Sequence, residues 1–139
     1  MLQRDYLAKI IESFTKHTSE TLREAVVLRS ADGVAETEDA LGELMELDPA
    51  MFLSLAPDSM VTMMRLAGNG EAVGDFVAYV LGALADAALI SGDRETAHLR
   101  RDQARAVALA FGVSRDVVPE QYADVDRDIQ RARSEAGIG

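Results

Sequence analysis

The side chain that is most out of place for its surroundings is Asp86, which lies in the most apolar stretch of the chain, residues 76–90. A carboxylate that is buried without a partner is strongly destabilising. We therefore expect Asp86 to pair with Arg101 or Arg105, across a predicted turn. A structural ion pair or an exposed helix edge is the first interpretation. A polar group inside a ligand groove is the functional alternative, because perturbed carboxylates cluster at binding sites.

A run of acids near the C-terminus resembles a calcium-binding loop. Four acids occupy ligand positions of such a loop: Asp124, Asp126, Asp128 and Glu135. The sharp turn of the loop needs a glycine, and Ile129 stands in its place. The segment also has the pattern of a continuous helix, on which alternate residues point in different directions. We therefore interpret these acids as a solvated helix face.

Two other patterns with chemical potential lack the context that they need. Gly68-Asn69-Gly70 with Gly74 resembles a phosphate-binding glycine run, but a helix and not a strand precedes it. We interpret it as a helix break. His17 and His98 are the only histidines, and without cysteine or a second nearby histidine they predict no metal site. Each is expected at a surface or a helix edge.

Methionine is concentrated in the middle of the chain. The residues are Met45, Met51, Met60, Met63 and Met64. Methionine fills irregular cores, and it also forms adaptable binding surfaces. Core packing is the first interpretation. In the alternative, a possible interaction surface is formed by Met60, Met63, Met64, Asp86 and Arg101.

Composition limits the kinds of function open to the chain. The 139 residues carry a net charge of −10, with 13 acids and two bases between residues 31 and 98. This acidity disfavours nucleic acid and favours a basic or amphipathic partner. The chain has no cysteine, which excludes disulfides and suits a reducing compartment. No signal peptide or membrane span is predicted, because Asp86 interrupts the most apolar stretch. We expect a cytoplasmic protein.

Apolar residues recur at helical spacing along the chain, and no segment shows the alternation of a strand. The pattern predicts helices over about residues 2–30, 35–47, 50–55, 57–67, 71–91, 94–111 and 115–134. Turn residues separate these helices: Ala31-Asp32-Gly33, Asp48-Pro49, Ala56-Pro57-Asp58, Gly68-Asn69-Gly70, Gly92-Asp93 and Gly112. The fifth helix is apolar on nearly all sides, so we expect it at the centre. The fold class predicted is a compact all-α helical bundle, one domain over residues 1–139.

The fifth and sixth helices resemble a tetratricopeptide-type helical hairpin. The matching residues are Ala85 in the first helix, Gly92-Asp93 at the turn, and Ala97 and Ala104 in the second helix. Arg101 stands where the family usually has a bulky aromatic residue. A second match spans residues 25–49, with Gly33 near its turn. The resemblance implies a compact bundle of two tetratricopeptide-like hairpins, since an open solenoid needs about three units.

Residues 1–112 also resemble an uncharacterised bacterial family of helical proteins. The matching features are Gln3-Arg4-Asp5-Tyr6 before an apolar helix, an acidic helix over residues 36–47, Leu53-Ser54-Leu55, Pro57-Asp58 and the hairpin. This resemblance implies a helical fold and no assigned activity. Residues 113–139 lie outside it and are expected to form a C-terminal helical extension.

The predicted function is a non-enzymatic protein–protein interaction domain, an adaptor or scaffold that binds a protein or peptide without a cofactor. We also expect a homodimer, since residues 50–67 carry much apolar surface on thin helices. The alternative is a small-molecule-binding or enzymatic bundle with a site near Asp86 and His98. A third possibility is a purely structural subunit. A closed apolar pocket lined by Asp86 and an arginine would favour the ligand alternative, and a groove open to solvent would favour a protein partner.

Overall fold

The computed structural model describes residues 2–114 and 117–138, with side chains from residue 5 onward. Within these ranges the chain forms seven α-helices and no strand, which confirms the predicted all-α bundle. The helices are α1 (Leu2–Leu22), α2 (Ala31–Met45), α3 (Pro49–Leu53), α4 (Pro57–Ala67), α5 (Gly70–Ile90), α6 (Arg94–Ala110) and α7 (Ala123–Glu135). A π-turn (Arg23–Val27) prolongs α1, and a 3₁₀ turn (Glu120–Tyr122) precedes α7.

Several helix boundaries follow the turn residues that the sequence contains. Asp48 caps α3 by accepting a hydrogen bond from the N–H of Met51 at 3.0 Å, and Pro49 is the first helical residue, as predicted. Asp93 caps α6 in the same way, with the N–H of Thr96 at 3.1 Å. Left-handed glycines follow the ends of α4, α5 and α6, and they are Gly68, Gly92 and Gly112.

The junction between α1 and α2 differs from the prediction. The sequence predicts a turn at residues 31–33 and a helix start near residue 35, but α2 already begins at Ala31. The cause is Ser30, whose Oγ accepts a hydrogen bond from the N–H of Gly33 at 3.2 Å and so caps an earlier turn. A Cβ at Gly33 would lie 2.6 Å from the backbone nitrogen of Ala25. Glycine therefore allows the start of α2 to touch the end of α1.

Helix α5 lies at the centre of the bundle, as predicted. Five of its side chains are fully buried, namely Val73, Val77, Val80, Leu81 and Ala85. The helix contacts α1, α2, α4, α6, α7 and the π-turn. By length and composition α5 would also suit a membrane-crossing helix, although 61% of its most apolar 18-residue window is buried inside the bundle. Its most extensive partner is α6, which returns antiparallel to it after the Gly92-Asp93 turn.

The start of α5 is shaped by close contact with the end of α6. A Cβ at Gly70 would lie 2.5 Å from the ring of Phe111, and one at Gly74 would lie 2.9 Å from the Cβ of the same residue. The guanidinium of Arg65 lies 5.9 Å from the centre of that ring. These glycines therefore make room for an aromatic side chain, which agrees with the interpretation of Gly68-Asn69-Gly70 as a helix break.

The C-terminal segment belongs to the core. The sequence predicts a polar last helix from residue 115, but residues 117–119 are not helical and α7 begins at Ala123. The fully buried side chains of the segment are Tyr122, Val125 and Ile129. The hydroxyl of Tyr122 shares a hydrogen bond with Thr18 at 2.8 Å, and its ring stacks on Tyr79 with centroids 4.7 Å apart. Three apolar anchors on an otherwise polar segment thus close the bundle against α1 and α5.

Candidate functional site

A half-open groove lies where α2, the π-turn and the α5–α6 turn meet, and its volume is about 260 Å³. Its apolar lining consists of Ala25, Ala31, Val34, Leu84, Ala87, Ala88 and Ile90. Four charged residues also line it, namely Arg29, Glu38, Asp93 and Arg100. Ligand sites in proteins are mostly apolar concavities with a small number of placed polar groups. This groove is therefore the candidate functional site.

An irregular end of α1 forms one wall of the groove. After the π-turn, Arg29 adopts a left-handed backbone conformation with φ of 54°. The N–H of Ser30 then bonds to the carbonyl oxygen of Glu24 at 2.9 Å, which closes the end of the helix. A left-handed residue other than glycine costs about 1–2 kcal/mol, and π-turns are frequent at functional sites. The strain at Arg29 therefore lies directly beside the cavity.

A second cavity, of about 220 Å³, shares Arg29 with the groove. It lies between the π-turn and α7, and it is lined by Val27, Arg29, Asp128, Arg131, Ala132 and Glu135. Asp128 forms a salt bridge with Arg23 and lies 3.9 Å from Arg131. The lining is more polar than that of the groove, and the pair of Arg23 and Asp128 joins its two walls, the π-turn and α7.

A buried polar network supports the far side of the groove. Arg100 donates hydrogen bonds to the carbonyl oxygen of Leu53 at 2.7 Å and to Glu38 at 3.3 Å. Gln103, which is fully buried, donates to the carbonyl oxygens of Leu53 and Leu55, both at 2.9 Å. The carbonyl of Leu53 ends α3 and that of Leu55 lies just after it, where the helix leaves carbonyl groups without helical partners. Arg100 thus joins α6 to both α2 and α3, and its charge is matched by Glu38.

Asp86 is the centre of a buried ion-pair cluster. Its Oδ1 accepts hydrogen bonds from Arg101 at 3.1 Å and from Arg133 at 2.6 Å. Arg101 was one of the two predicted partners, whereas Arg105 lies 3.9 Å from Asp102 instead. Burial raises the pKa of Asp86, and the two arginines, Arg133 most, oppose that rise. The cluster ties α5 to α6 and α7, and neither cavity includes Asp86 in its lining.

The methionines lie mainly in the core. Met60 and Met64 have no exposed surface, and Met45 is 3% exposed. Met63 is half-buried, and Met51 is exposed. The possible interaction surface of Met60, Met63, Met64, Asp86 and Arg101 therefore does not form as an open face, because three of its five members are buried by helix packing.

The remaining motif-like residues have structural partners or lie at the surface. Asp126 accepts a hydrogen bond from the hydroxyl of Tyr79 at 2.7 Å, while Asp124 pairs with Arg127 on the continuous helix α7. Among the described residues no group of three or more acids, histidines or cysteines is arranged to hold a metal ion. His17 and His98 are both exposed.

Comparisons with protein-family models, with curated proteins and with solved structures gave no match. The assignment of a function therefore depends on the geometry of the groove and on the charges around it.

The groove was not found by sequence reasoning, although one signal pointed toward it. Arg100 and Gln103 lie on the same face of α6 as Ala97 and Val107, so polar side chains interrupt an inward-facing stripe. The left-handed conformation of Arg29 gave no such signal. It is visible only in the structure, because the Ser30 cap sets the start of α2 and with it the geometry of the turn.

Proposed function

We propose that the chain is a non-enzymatic protein-interaction module that binds an apolar side chain of a protein or peptide partner in the groove. The half-open groove is the observation that carries this proposal. Small-molecule sites usually measure about 300–1,000 Å³ and enclose most of the ligand. The groove is smaller and open to solvent, so it fits one anchoring side chain of a longer segment. The alternative near Asp86 and His98 has no support from either cavity.

The proposal includes a tetratricopeptide-like arrangement of the α5–α6 hairpin. In support, Ala85 and Ala97 are buried, at 0% and 5% exposed, and Gly92 has the left-handed conformation that the turn needs. The groove lies at the turn end of this hairpin. Helical hairpins of this type present surfaces that suit peptide or helix ligands.

The charge of α2 defines the flanks of the partner. Four exposed acids recur at helical spacing on its outer face, and they are Asp32, Glu36, Asp39 and Glu43. The same helix supplies Ala31, Val34 and Glu38 to the groove. A partner that places an apolar anchor in the groove would therefore bring its neighbouring residues close to an acidic stripe. Basic residues at these positions would accelerate and orient binding.

The test is selection of binding peptides from a displayed random library, followed by affinity measurements on two matched variants. Ala88→Gln extends a side chain into the groove lining, while Ala72→Gln makes the same change at an exposed position of α5. The selected peptides should contain an aliphatic anchor and, in the part that follows the outer face of α2, basic residues. Their affinity should fall at least about tenfold for Ala88→Gln, a loss of about 1.4 kcal/mol, and stay unchanged for Ala72→Gln. Equal affinity for both variants would place the binding elsewhere.

We also propose that the protein self-associates as a homodimer. Within residues 50–67 the exposed large apolar side chains are Met51 and Leu66, at 41% and 76% exposed. Large apolar side chains left in water favour association when they share a face. Sedimentation at micromolar concentration should show a dimer, and Leu66→Lys should weaken it. A clean monomer for the wild-type chain would contradict the proposal.

A further inference from the structure

The charges of the groove are matched with one exception. Arg100 is paired with Glu38 at 3.3 Å. Asp93 caps α6, and hydrogen bonding from Thr96 lowers its pKa, so it is ionised and already engaged. Arg29 forms no salt bridge with a carboxylate anywhere in residues 5–114 and 117–138. The guanidinium of Arg29, at the rim of the groove, is therefore the charge that remains available to a ligand.

We infer that Arg29 is a specificity-determining residue, which selects a partner that carries an acidic side chain next to its aliphatic anchor. This inference rests on the proposed function of the groove. The two cavities meet at Arg29, so its side chain is within reach of a residue adjacent to the anchor. A guanidinium presents several donors to a carboxylate, and such charge-assisted bonds are short and directional. The acidic stripe of α2 attracts basic residues of the partner along that helix. Arg29, which precedes the N-terminal end of α2, binds an acidic residue of the partner.

The backbone of Arg29 allows its roles in folding and in binding to be tested separately. A glycine at the left-handed position after a helix end has no steric cost, so an arginine there is not the choice that stabilises the turn best. The side chain is exposed and forms no salt bridge among the described residues, and therefore contributes little to packing. Replacement by glycine should distinguish a role in binding from a role in folding. It removes the guanidinium, which should weaken binding, and it relieves the left-handed backbone, which should not weaken folding.

The same chemistry, an aliphatic group beside a carboxylate, also occurs in free branched-chain acids. We commit to the acidic side chain of a protein segment, because the groove is half-open and smaller than a site that encloses a whole ligand. The experiment therefore includes 4-methylpentanoate as a probe for the other source.

The test is an NMR titration of the full chain with two blocked dipeptides, acetyl-Leu-Glu-amide and acetyl-Leu-Gln-amide. The wild type should bind the Glu peptide about fivefold more tightly than the Gln peptide, as expected for an exposed charge pair. Arg29→Gln and Arg29→Gly should bind both peptides equally, and Arg29→Gly should melt at the same or a higher temperature. The control is Arg131→Gln, which removes an arginine that lines only the second cavity and should keep the fivefold preference.

Three results would overturn the inference. Equal binding of the two peptides by the wild type would remove the role of Arg29 and leave the groove as a binding site. Tighter binding of 4-methylpentanoate than of the Glu peptide would assign the groove to small acids. No shift of any groove signal with any probe would contradict the proposed function as well.

Discussion

Two regions of this bundle place charged side chains against apolar surface, and they differ in whether the charges are matched. At Asp86 a nearly buried carboxylate, 5% exposed, meets two arginines from different helices. At the groove the pair of Arg100 and Glu38 is matched, but Arg29 lies beside open apolar space without an ion pair among the described residues. The buried charge of Asp86 is satisfied within the fold, whereas the unmatched charge at the edge of the groove is the one that our proposal assigns to a partner.

The largest loss of stability is expected at Tyr122, where the C-terminal segment packs on the core near Asp86. Tyr122→Ala removes a fully buried ring that stacks on Tyr79 and bonds to Thr18. The free energy of unfolding should fall by about 3–5 kcal/mol, as for other large aromatic truncations. Urea denaturation measures the change. Tyr6→Ala, at a site that is 68% exposed, should stay within about 0.5 kcal/mol of the wild type. If Tyr122→Ala lowered the free energy of unfolding as little as Tyr6→Ala does, the C-terminal segment would not close the core.

A smaller loss is expected at the wall of the groove. Gly33→Ala places a Cβ 2.6 Å from the backbone nitrogen of Ala25, so α2 has to move away from the π-turn at a cost of about 1–3 kcal/mol. The matched control is Gly82→Ala on α5, where a Cβ meets nothing within 4 Å. That change should raise stability by up to about 1 kcal/mol, because alanine favours a helix. Thermal melts of the two variants compare them directly. The close contact would be refuted if Gly33→Ala were stabilising.

The smallest effect is expected at Asp86 itself. Asp86→Asn keeps an oxygen that accepts from Arg101 and Arg133, and it removes a charge whose burial is unfavourable. Stability at pH 7 should change by less than about 1 kcal/mol, because the side chains of Arg101 and Arg133 are 37% and 21% exposed and stay hydrated when the carboxylate charge is removed. A loss of several kcal/mol would show that the charge itself holds the three helices together.

The difference in stability between the wild type and Asp86→Asn, measured against pH, tests the sign of the pKa shift of Asp86. Burial raises the folded-state pKa of Asp86 above the ordinary value of an aspartate. Its contribution to stability is therefore fully present below the unfolded pKa and is lost as the pH rises through the folded pKa. The wild type should gain stability relative to Asp86→Asn as the pH falls from 7 toward 4. If the wild type instead lost stability relative to Asp86→Asn on acidification, the denaturation curves would contradict the direction of the shift.

The sequence predicted the helical elements better than the site. Capping residues such as Asp48 and helix-ending glycines such as Gly92 act locally, so most boundaries could be placed from the pattern. The pairing of Asp86 with Arg101 also followed from a short turn. Arg133 could not be found this way, because it reaches Asp86 from a helix 47 residues further along the chain. The groove depends on several elements that only tertiary packing brings together.

We propose that a partner binds at the groove and not at the Asp86 cluster. NMR mapping with a peptide from the displayed library tests this proposal, when it is observed at side-chain signals that separate the two regions. We expect shifts of the methyl groups of Val34, Leu84 and Ile90, which line the groove, with the Nε–Hε signals of Arg101 and Arg133 unchanged. Shifts centred on the two arginines, with silent groove methyls, would contradict it.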